Sequence, residues 1–525
     1  MSIQKKYFIN EKVRNVRELI DRSAKLYGNK VAYRLKKDGK IYEWTYQELK
    51  EDGEKVSRSI NEHRLAGEHI VLFGTLSYEW MASYIGIVSG GAVAILIDRN
   101  MDIDDIVKLL NRTMSTCIVY SEADKEIIDN IVLKYPCVNT LFEGSSKNSF
   151  TFEAHLIYVG LQADRVKRQR TEYNIQPCTI VFTSGTTGQS KGVMLSQENI
   201  CSNVLGGRSL VSFSSNDVAL SVLPITHMYE LTCGNLILLY SGAIIYINEN
   251  LKDVYQNLLD FKPTCMFLVP LFLDSFRKEI CRLQKAETSE EVKEKVKNMF
   301  GGKLRRIIVG GAPCKEELLD FFSDFDISVI QGYGITECSP LVSVNLEAGI
   351  KRGSVGRVID GCKVKCIDKE ICVKGPNVML GYYKEEEITE DNLVEGWFKT
   401  GDVGHVDEDG FIYILGRKKR LIILDNGENV SPEELERYIM GFEFVSEVLV
   451  YEETVGEKRV IVMEIYPDYD EIERKGREED FREVVIAETS KLNDRLPNYK
   501  KIMQIKYRTT PFKKTTSNKV ITKGQ

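Results

Sequence analysis

The feature that most constrains the fold is an alternation, over the first four hundred residues, between short apolar runs and longer amphipathic stretches. Short apolar runs separated by amphipathic helices are typical of largely parallel sheets covered by helices. We predict strands at residues 69–73, 92–97, 116–120, 178–183, 243–247, 264–269 and 305–309. We predict helices at residues 105–111, 251–261 and 315–322. This part of the chain is therefore expected to be α/β, with layered subdomains.

The pattern changes after about residue 350, where short alternating segments are separated by glycine turns. This pattern predicts a β-rich region. From Lys418 onward the chain is more charged, and residues 431–440 begin with serine, proline and two acidic residues, the signature of a helix N-terminus. We expect residues 1–417 to form a large N-terminal domain and residues 418–525 a small, mobile α+β C-terminal domain.

Charge and hydropathy exclude several classes of protein. The net charge of −6 argues against a general nucleic-acid binder. The first twelve residues lack the apolar core of a signal peptide. Two uncharged runs, residues 80–97 and 231–248, are interrupted by small-residue turns, so each predicts a buried helix followed by a buried strand. We expect a cytoplasmic protein with no transmembrane segment and at most weak contact with a membrane surface.

The twelve cysteines show no spacing typical of a disulfide framework. The closest group, Cys362, Cys366 and Cys372, lies in a strand-like stretch without a nearby histidine. We interpret the thiols as reduced, and as buried or without a role, so a zinc site is not predicted.

The most specific local signal is a loop rich in hydroxyls and glycines that follows a predicted strand. Its sequence is Thr183-Ser184-Gly185-Thr186-Thr187-Gly188-Gln189-Ser190-Lys191-Gly192. Glycines let the backbone present its N–H groups, while the hydroxyls and the ammonium add donors, so the loop suits a polyphosphate. The spacing differs from Walker A, which disfavours a P-loop NTPase.

This loop resembles the phosphate loop of the AMP-binding superfamily, which includes acyl-CoA synthetases, luciferases and the adenylation domains of peptide synthetases. The segment Gln331-Gly332-Tyr333-Gly334-Ile335-Thr336-Glu337 resembles the central motif of that family. A tyrosine between glycines can lie flat against adenine, and a carboxylate suits Mg²⁺. The resemblance implies that Thr336 contacts the α-phosphate and that Glu337 binds Mg²⁺. Gly310-Gly311-Ala312-Pro313 is similar to the adenine-binding segment of the family.

Three further residues match motifs of the family. Asp402 and Arg417 resemble the ribose-binding pair, in which the carboxylate accepts hydrogen bonds from both ribose hydroxyls. His227 matches a position that lines the acyl site and changes rotamer between the two half-reactions.

The C-terminal part carries two motifs that the family uses in different half-reactions. Gly427 lies in a segment similar to the loop that enters the active site for thioester formation. Lys519 matches the catalytic lysine, although Asn518 replaces the usual glycine and Thr522 stands where a basic residue is common. Lys513 and Lys514 offer other registers for that lysine. The resemblance implies rotation of the small domain about a hinge, which we expect at Lys419.

The resemblance implies an ATP-dependent acid–thiol ligase that uses Mg²⁺. A carboxylic acid is activated as its acyl-AMP, pyrophosphate leaves, and a thiol then takes the acyl group. We expect a fatty acid, with an aryl acid as the alternative. The acceptor is coenzyme A or the phosphopantetheine of an acyl carrier protein. A degenerate nucleotide-binding module that no longer turns over is the alternative from another class.

Overall fold

The computed structural model describes residues 12–115, 117–134, 139–146, 149–153, 176–183, 190–284, 289–346, 349–420, 422–423, 429–455 and 458–513. Across these ranges, no helix combines the length and the apolar character needed to span a bilayer. The predicted site residues Ser184 to Gly188, Gly427 and Lys519 lie outside the described residues.

The chain builds two large sheets whose central strands are parallel. In one, the strands lie in the order Gly381–Tyr382, Lys191–Leu195, Thr179–Thr183, Val93–Ile97, His69–Phe73, Cys117–Ser121, Asn139–Ser146 and Ser149–Glu153. In the other, the order is Arg357–Val358, Leu341–Val344, Ser328–Gly334, Arg306–Val309, Cys265–Leu268, Val218–Ser221, Ile244–Ile247, Val31–Lys37 and Lys40–Thr45.

Helices pack on both sheets and join their strands. The α-helices are Val16–Tyr27, Tyr46–Glu62, Tyr78–Ser89, Ile103–Thr113, Lys125–Lys134, Gln197–Leu210, Ile237–Ser241, Val254–Phe261, Pro270–Gln284, Ser289–Met299, Glu316–Phe321 and Glu386–Asn392. A π-helical segment, Tyr229–Leu236, precedes one of them. Short 3₁₀ turns are Glu122–Asp124, Leu251–Asp253, Phe322–Phe325 and Thr336–Cys338. One large apolar core extends over both sheets.

The predicted β-rich piece is a smaller, antiparallel sheet. Its strands are Lys363–Ile367, Glu370–Lys374, Leu393–Val394, Trp397–Val406 and Ile412–Arg417. The long strand Trp397–Val406 pairs with Ile412–Arg417, as the turn signal at Asp409-Gly410 predicts. This sheet presents Asp402 and Arg417 on neighbouring strands.

The C-terminal part has its own α+β core. After the 3₁₀ turn Lys418–Arg420, its strands are Ile422–Ile423, Asn429–Val430, Val445–Val455, Lys458–Pro467 and Ile502–Tyr507. Its helices are Pro432–Ile439, Tyr469–Lys475 and Phe481–Arg495, with a 3₁₀ turn at Asn498–Lys500. Ser431 caps the first helix by accepting a hydrogen bond from the Glu434 N–H. A separate apolar cluster lies between these elements.

The predicted fold class is confirmed. Both uncharged runs fold as a helix and a strand: Tyr78–Ser89 leads to Val93–Ile97, and Tyr229–Leu236 with Ile237–Ser241 leads to Ile244–Ile247. The second turn is Gly242, whose φ of +79° belongs to the left-handed region that favours glycine. Among the described residues no group of three or more histidine, cysteine, aspartate or glutamate side chains is placed to hold a metal ion.

Helix packing near the N-terminus depends on one close approach. A Cβ atom at Gly86 in the helix Tyr78–Ser89 would lie 2.3 Å from Val56 Cβ in the helix Tyr46–Glu62. We expect Gly86→Ala to lower the free energy of unfolding by about 1–3 kcal/mol through overpacking. Urea denaturation checks this, with Gly349→Ala as control because a Cβ there meets open space. Equal effects of the two substitutions would contradict the packing argument.

Candidate active site

The predicted phosphate loop connects the two strands of a β-hairpin. Thr179–Thr183 and Lys191–Leu195 run antiparallel, with Thr183 directly opposite Lys191. The Thr183 hydroxyl donates a hydrogen bond to the Lys191 carbonyl oxygen at 3.5 Å. A Walker A loop leads from a strand into a helix. The second strand therefore agrees with the exclusion of a P-loop NTPase.

Tyr382 connects the predicted magnesium ligand with the lysine of the hairpin. The strand Gly381–Tyr382 pairs with Lys191–Leu195. The Tyr382 hydroxyl donates a hydrogen bond to Glu337 Oε1 at 2.8 Å, and Lys191 Nζ lies 4.8 Å from the centre of the Tyr382 ring. That distance is within the range of a cation–π contact. Burial, followed by the Glu337 carboxylate, raises the pKa of Tyr382, so its hydroxyl remains a donor.

The central motif and the predicted adenine segment meet at one edge of the nine-stranded sheet. The strands Arg306–Val309 and Ser328–Gly334 are parallel, with Val309 opposite Gln331. Their carboxyl ends lead into Gly310-Gly311-Ala312-Pro313 and into Tyr333-Gly334. Gly310, Gly311, Tyr333 and Gly334 line the same cavity. Ligands of α/β sheets bind at such carboxyl ends.

At two positions of this edge the structure explains why the residue is glycine. A Cβ atom at Gly334 would lie 2.3 Å from the Pro340 carbonyl oxygen, so no side chain fits there. Gly311 has a φ of +81°, in the left-handed region. Just beyond Gly334, Thr336 and Glu337 lie together in the 3₁₀ turn Thr336–Cys338, which places a hydroxyl and a carboxylate side by side.

The predicted ribose pair is brought together with Tyr333. Asp402 and Arg417 lie opposite each other on paired strands, and Arg417 Nε is 2.8 Å from Asp402 Oδ1. The Tyr333 hydroxyl donates a hydrogen bond to the other carboxylate oxygen of Asp402 at 2.5 Å. Burial, followed by the Asp402 charge, raises the pKa of Tyr333, so the phenol is neutral. The Asp402 side chain is buried, whereas 45% of the Arg417 side chain is exposed.

An apolar cavity has Tyr333 and Gly334 in its wall. None of its lining residues, all within the described ranges, carries a charge. The cavity is lined by Gly207, Val211, Phe213, Tyr229, Cys233, Ile237, Phe267, Ile308, Gly310, Gly311, Gly332, Tyr333, Gly334, Pro340, Leu341 and Val344. The Tyr229 hydroxyl donates a hydrogen bond to the Ile308 carbonyl oxygen at 3.0 Å, so its polar atom is paired with the protein backbone. Such a cavity suits an apolar group.

His227 lies at the edge of this arrangement. It is half-buried, directly before the π-helical segment Tyr229–Leu236, and its carbonyl oxygen accepts hydrogen bonds from the Glu230 and Leu231 N–H groups at 3.0 Å. His227 is not among the residues that line the cavity, whereas Tyr229, two residues later, is.

Sequence reasoning missed Tyr229 and Tyr382. Tyr229 lies two residues after His227, at the start of the π-helical segment, and it lines the cavity. Tyr382 lies far from Glu337 in the sequence, and no sequence motif predicts the hydrogen bond between them.

The described residues fit Mg·ATP by the chemistry of their donors and acceptors. Mg²⁺ is usually held by one or two carboxylates together with substrate phosphates, so the single carboxylate of Glu337 is a sufficient protein ligand. The Lys191 ammonium and the Thr336 hydroxyl are suited to phosphate oxygens, and Asp402 to ribose hydroxyls. A cluster suited to Mg·ATP therefore adjoins an apolar cavity, whose lining includes Tyr333 and Gly334. This is the arrangement of an adenylate-forming enzyme.

Comparison with known proteins specifies this class. The model of the family described as AMP-binding enzyme matches residues 20–383, more than half of the 525 residues. The chain belongs to the AMP-binding enzyme family, and it is an AMP-forming acid–thiol ligase.

Individual relatives are similar over most of their length. The long-chain-fatty-acid–CoA ligase FadD15 of Mycobacterium bovis is 26% identical over 430 residues, which are 73% of this chain and 71% of that protein. A fatty acyl CoA synthetase of Mycobacterium tuberculosis has a similar fold, with a TM-score of 0.68 at 22% identity over 98% of this chain and 97% of that chain. The o-succinylbenzoate coenzyme A synthetase of Bacillus subtilis, solved with ATP and a magnesium ion, has a TM-score of 0.73 at 21% identity, covering 96% and 98%.

Tyr382 provides a test of the site geometry. We expect Tyr382→Phe to raise the Mg²⁺ concentration needed for half-maximal adenylation by about tenfold or more, because hydrogen-bond partners of metal ligands orient them. The measurement is a magnesium titration of ATP–pyrophosphate exchange. Tyr413→Phe is the matched control, since that hydroxyl donates a hydrogen bond to Asp407, in the turn that follows the strand Trp397–Val406. A magnesium requirement unchanged in Tyr382→Phe would remove Tyr382 from the metal site.

Proposed function

We propose that this chain activates a fatty acid with Mg·ATP and transfers the acyl group to the thiol of coenzyme A. The observation that carries the proposal is the cavity that shares Tyr333 and Gly334 with the nucleotide cluster and has no charged residue in its described lining. A substrate whose carboxylate meets the α-phosphate would extend its other end into this apolar space. Each methylene buried there contributes about 0.8 kcal/mol to binding.

In the first half-reaction, the residues of the chain act by positioning and by stabilising charge. Asp402 and Arg417 hold the ribose, and Tyr333 covers the adenine. Lys191, with the hydroxyls and N–H groups of the hairpin, binds the phosphates that leave as pyrophosphate. Charge builds on the phosphoryl oxygens in the transition state, where preorganised donors are most effective. Thr336 and Lys519 supply such donors, and Glu337 holds the Mg²⁺ that neutralises the phosphates.

In the second half-reaction, a small domain formed by residues 418–525 rotates against residues 1–417. A hinge at Lys419 is supported by its place in the 3₁₀ turn Lys418–Arg420, immediately after the strand that carries Arg417. Rotation withdraws Lys519 and brings in the loop of Gly427. The thiol then attacks the carbonyl carbon of the acyl-AMP, the thioester bond forms, and AMP leaves.

The acid and the acceptor each have an alternative. Fatty acids are supported by the apolar lining and by the activity named for the Mycobacterium bovis relative. An aryl acid is the second candidate, since o-succinylbenzoate is named for the Bacillus subtilis neighbour, which shares the fold. The acceptor alternative is the phosphopantetheine of an acyl carrier protein, which offers the same thiol as coenzyme A.

ATP–pyrophosphate exchange with a panel of acids tests the proposal. We expect exchange with aliphatic acids that strengthens as methylenes are added until the cavity is filled, and little exchange with acetate, amino acids or benzoate. A clear preference for an aryl acid would move the assignment to the alternative. A chain that exchanges with no acid would be a nucleotide-binding module that does not turn over.

Lys519 is expected to act only in the first half-reaction. Lys519→Ala should lose about two to four kcal/mol of transition-state stabilisation in adenylation, the scale for one preorganised donor. The same variant, given synthetic acyl-AMP and coenzyme A, should form thioester near the wild-type rate. Both half-reactions are measured separately, by pyrophosphate exchange and by thioester formation.

Alanine at Lys513 and at Lys514 provides the matched controls. Neither substitution should reduce adenylation as Lys519→Ala does. Loss of adenylation in Lys514→Ala, with Lys519→Ala active, would show that the register inferred through Asn518 is wrong.

A further inference from the structure

Behind the wall of the apolar cavity lies a buried carboxyl group that the proposed mechanism does not use. Glu230 belongs to the π-helical segment Tyr229–Leu236 and is 1% exposed. The Ser221 hydroxyl donates a hydrogen bond to Glu230 Oε1, and Asn235 Nδ2 donates to the same oxygen at 3.3 Å. The other oxygen, Oε2, has no hydrogen-bond partner among the described residues.

The groups that surround this carboxyl are neutral or weakly acidic. Tyr33, from the strand Val31–Lys37, donates a hydrogen bond to Asn235 Oδ1 at 2.9 Å. Tyr229 and Cys233 flank Glu230 on its own helix, and burial raises the pKa of all three of these groups. His227 precedes Glu230 by one helical turn and accepts its N–H. No lysine or arginine of the described ranges offsets a charge on Glu230.

This environment favours the protonated acid. Burial raises the pKa of Glu230 to about 7, although the hydrogen bonds from Ser221 and Asn235 act in the opposite direction. An ionised carboxylate here would be an unpaired charge in an apolar surrounding, which is costly. Ionisation is therefore expected to displace the side chain or the segment that holds it.

The position of Glu230 connects it to the acid half of the site. Ser221 ends the strand Val218–Ser221, and the chain then runs through His227 to the π-helical segment. The hydrogen bond between Ser221 and Glu230 joins the two ends of this connecting segment. Tyr229 and Cys233, on either side of Glu230, line the cavity. π-helical turns are frequent at functional sites.

Gly234 provides the space for the carboxyl group. A Cβ atom at this residue would lie 2.7–2.9 Å from the three atoms of the Glu230 carboxyl group. The carboxyl group therefore packs directly against the backbone of the segment whose other side forms the cavity wall. A shift of Glu230 would be transmitted to Cys233 and Tyr229.

We propose that Glu230 is a positioning residue, whose hydrogen bond with Ser221 holds the His227 segment and the cavity wall in the arrangement used for adenylation. The inference rests on the proposed function and deepens it, since it names a group that controls the geometry of the acyl site without touching the substrate. The neutral acid maintains this arrangement, and its ionisation disturbs it.

The test compares wild type with Glu230→Gln in ATP–pyrophosphate exchange from about pH 6 to 8.5, using a saturated fatty acid. Glutamine keeps the shape of the neutral acid and cannot ionise. The ratio of variant to wild-type activity is expected to rise with pH. The rise approaches about thirtyfold at pH 8.5 if only the protonated enzyme is active, given a pKa of about 7. Glu54→Gln, the same substitution on a helix surface, should give a flat ratio.

A flat ratio for Glu230→Gln in an active enzyme would overturn this inference and leave the proposed function intact. Absence of exchange in wild type with every acid would overturn the proposed function and, with it, this inference.

Two further measurements separate positioning from a purely structural role. Ser221→Ala removes the donor without changing charge, and it should raise the KM for the acid severalfold while the KM for ATP stays the same. Unchanged KM values would overturn the proposal. The melting temperature of wild type should fall as pH rises from about 4.5 to 7, relative to Glu230→Gln, because the native state holds a proton that unfolded Glu230 has released. Parallel melting curves would contradict the buried neutral acid.

Discussion

The interaction on which the candidate site depends is the pair of contacts made by the buried Asp402 carboxylate. One oxygen accepts a hydrogen bond from Tyr333, at the edge of the nine-stranded sheet, and the other faces Arg417, on the antiparallel sheet. The carboxylate thereby links the nine-stranded sheet to the antiparallel sheet. Because it is buried, its charge has to be met by donors, and those donors are the residues expected to surround a nucleotide.

A second contact links the eight-stranded sheet, which contains Tyr382, to the candidate site. Tyr382 pairs with the hairpin strand that starts at Lys191. Its hydroxyl donates a hydrogen bond to Glu337, which follows the strand Ser328–Gly334 of the nine-stranded sheet. Three sheets therefore contribute one side chain or more each to a small volume. This arrangement brings together groups suited to a metal ion, phosphates and a ribose from segments that are far apart along the chain, around Lys191, Glu337 and Asp402.

The polar cluster and the apolar cavity share a boundary made of glycine and tyrosine. Gly334 leaves no room for a side chain beside the Pro340 carbonyl, and Tyr229 directs its hydroxyl to the Ile308 carbonyl. The polar cluster with its charged side chains and the uncharged cavity are thus adjacent parts of one site. Glu230 lies behind the uncharged half, where its environment favours the proton, and it connects the wall of the cavity to the strand that ends at Ser221.

The sequence alone determined the features that depend on neighbours along the chain. Apolar periodicity predicted the parallel strands, and Ser431 predicted the start of its helix. The glycine and hydroxyl pattern predicted a loop after the strand Thr179–Thr183, whereas the antiparallel strand that follows this loop is seen only in the structure. Only the tertiary structure decided that Tyr382 donates to Glu337 and that Asp402 faces both Tyr333 and Arg417. It also decided the burial of Glu230, which raises the pKa of that carboxyl group. These features depend on burial and on contacts between distant segments, and local sequence patterns predict neither.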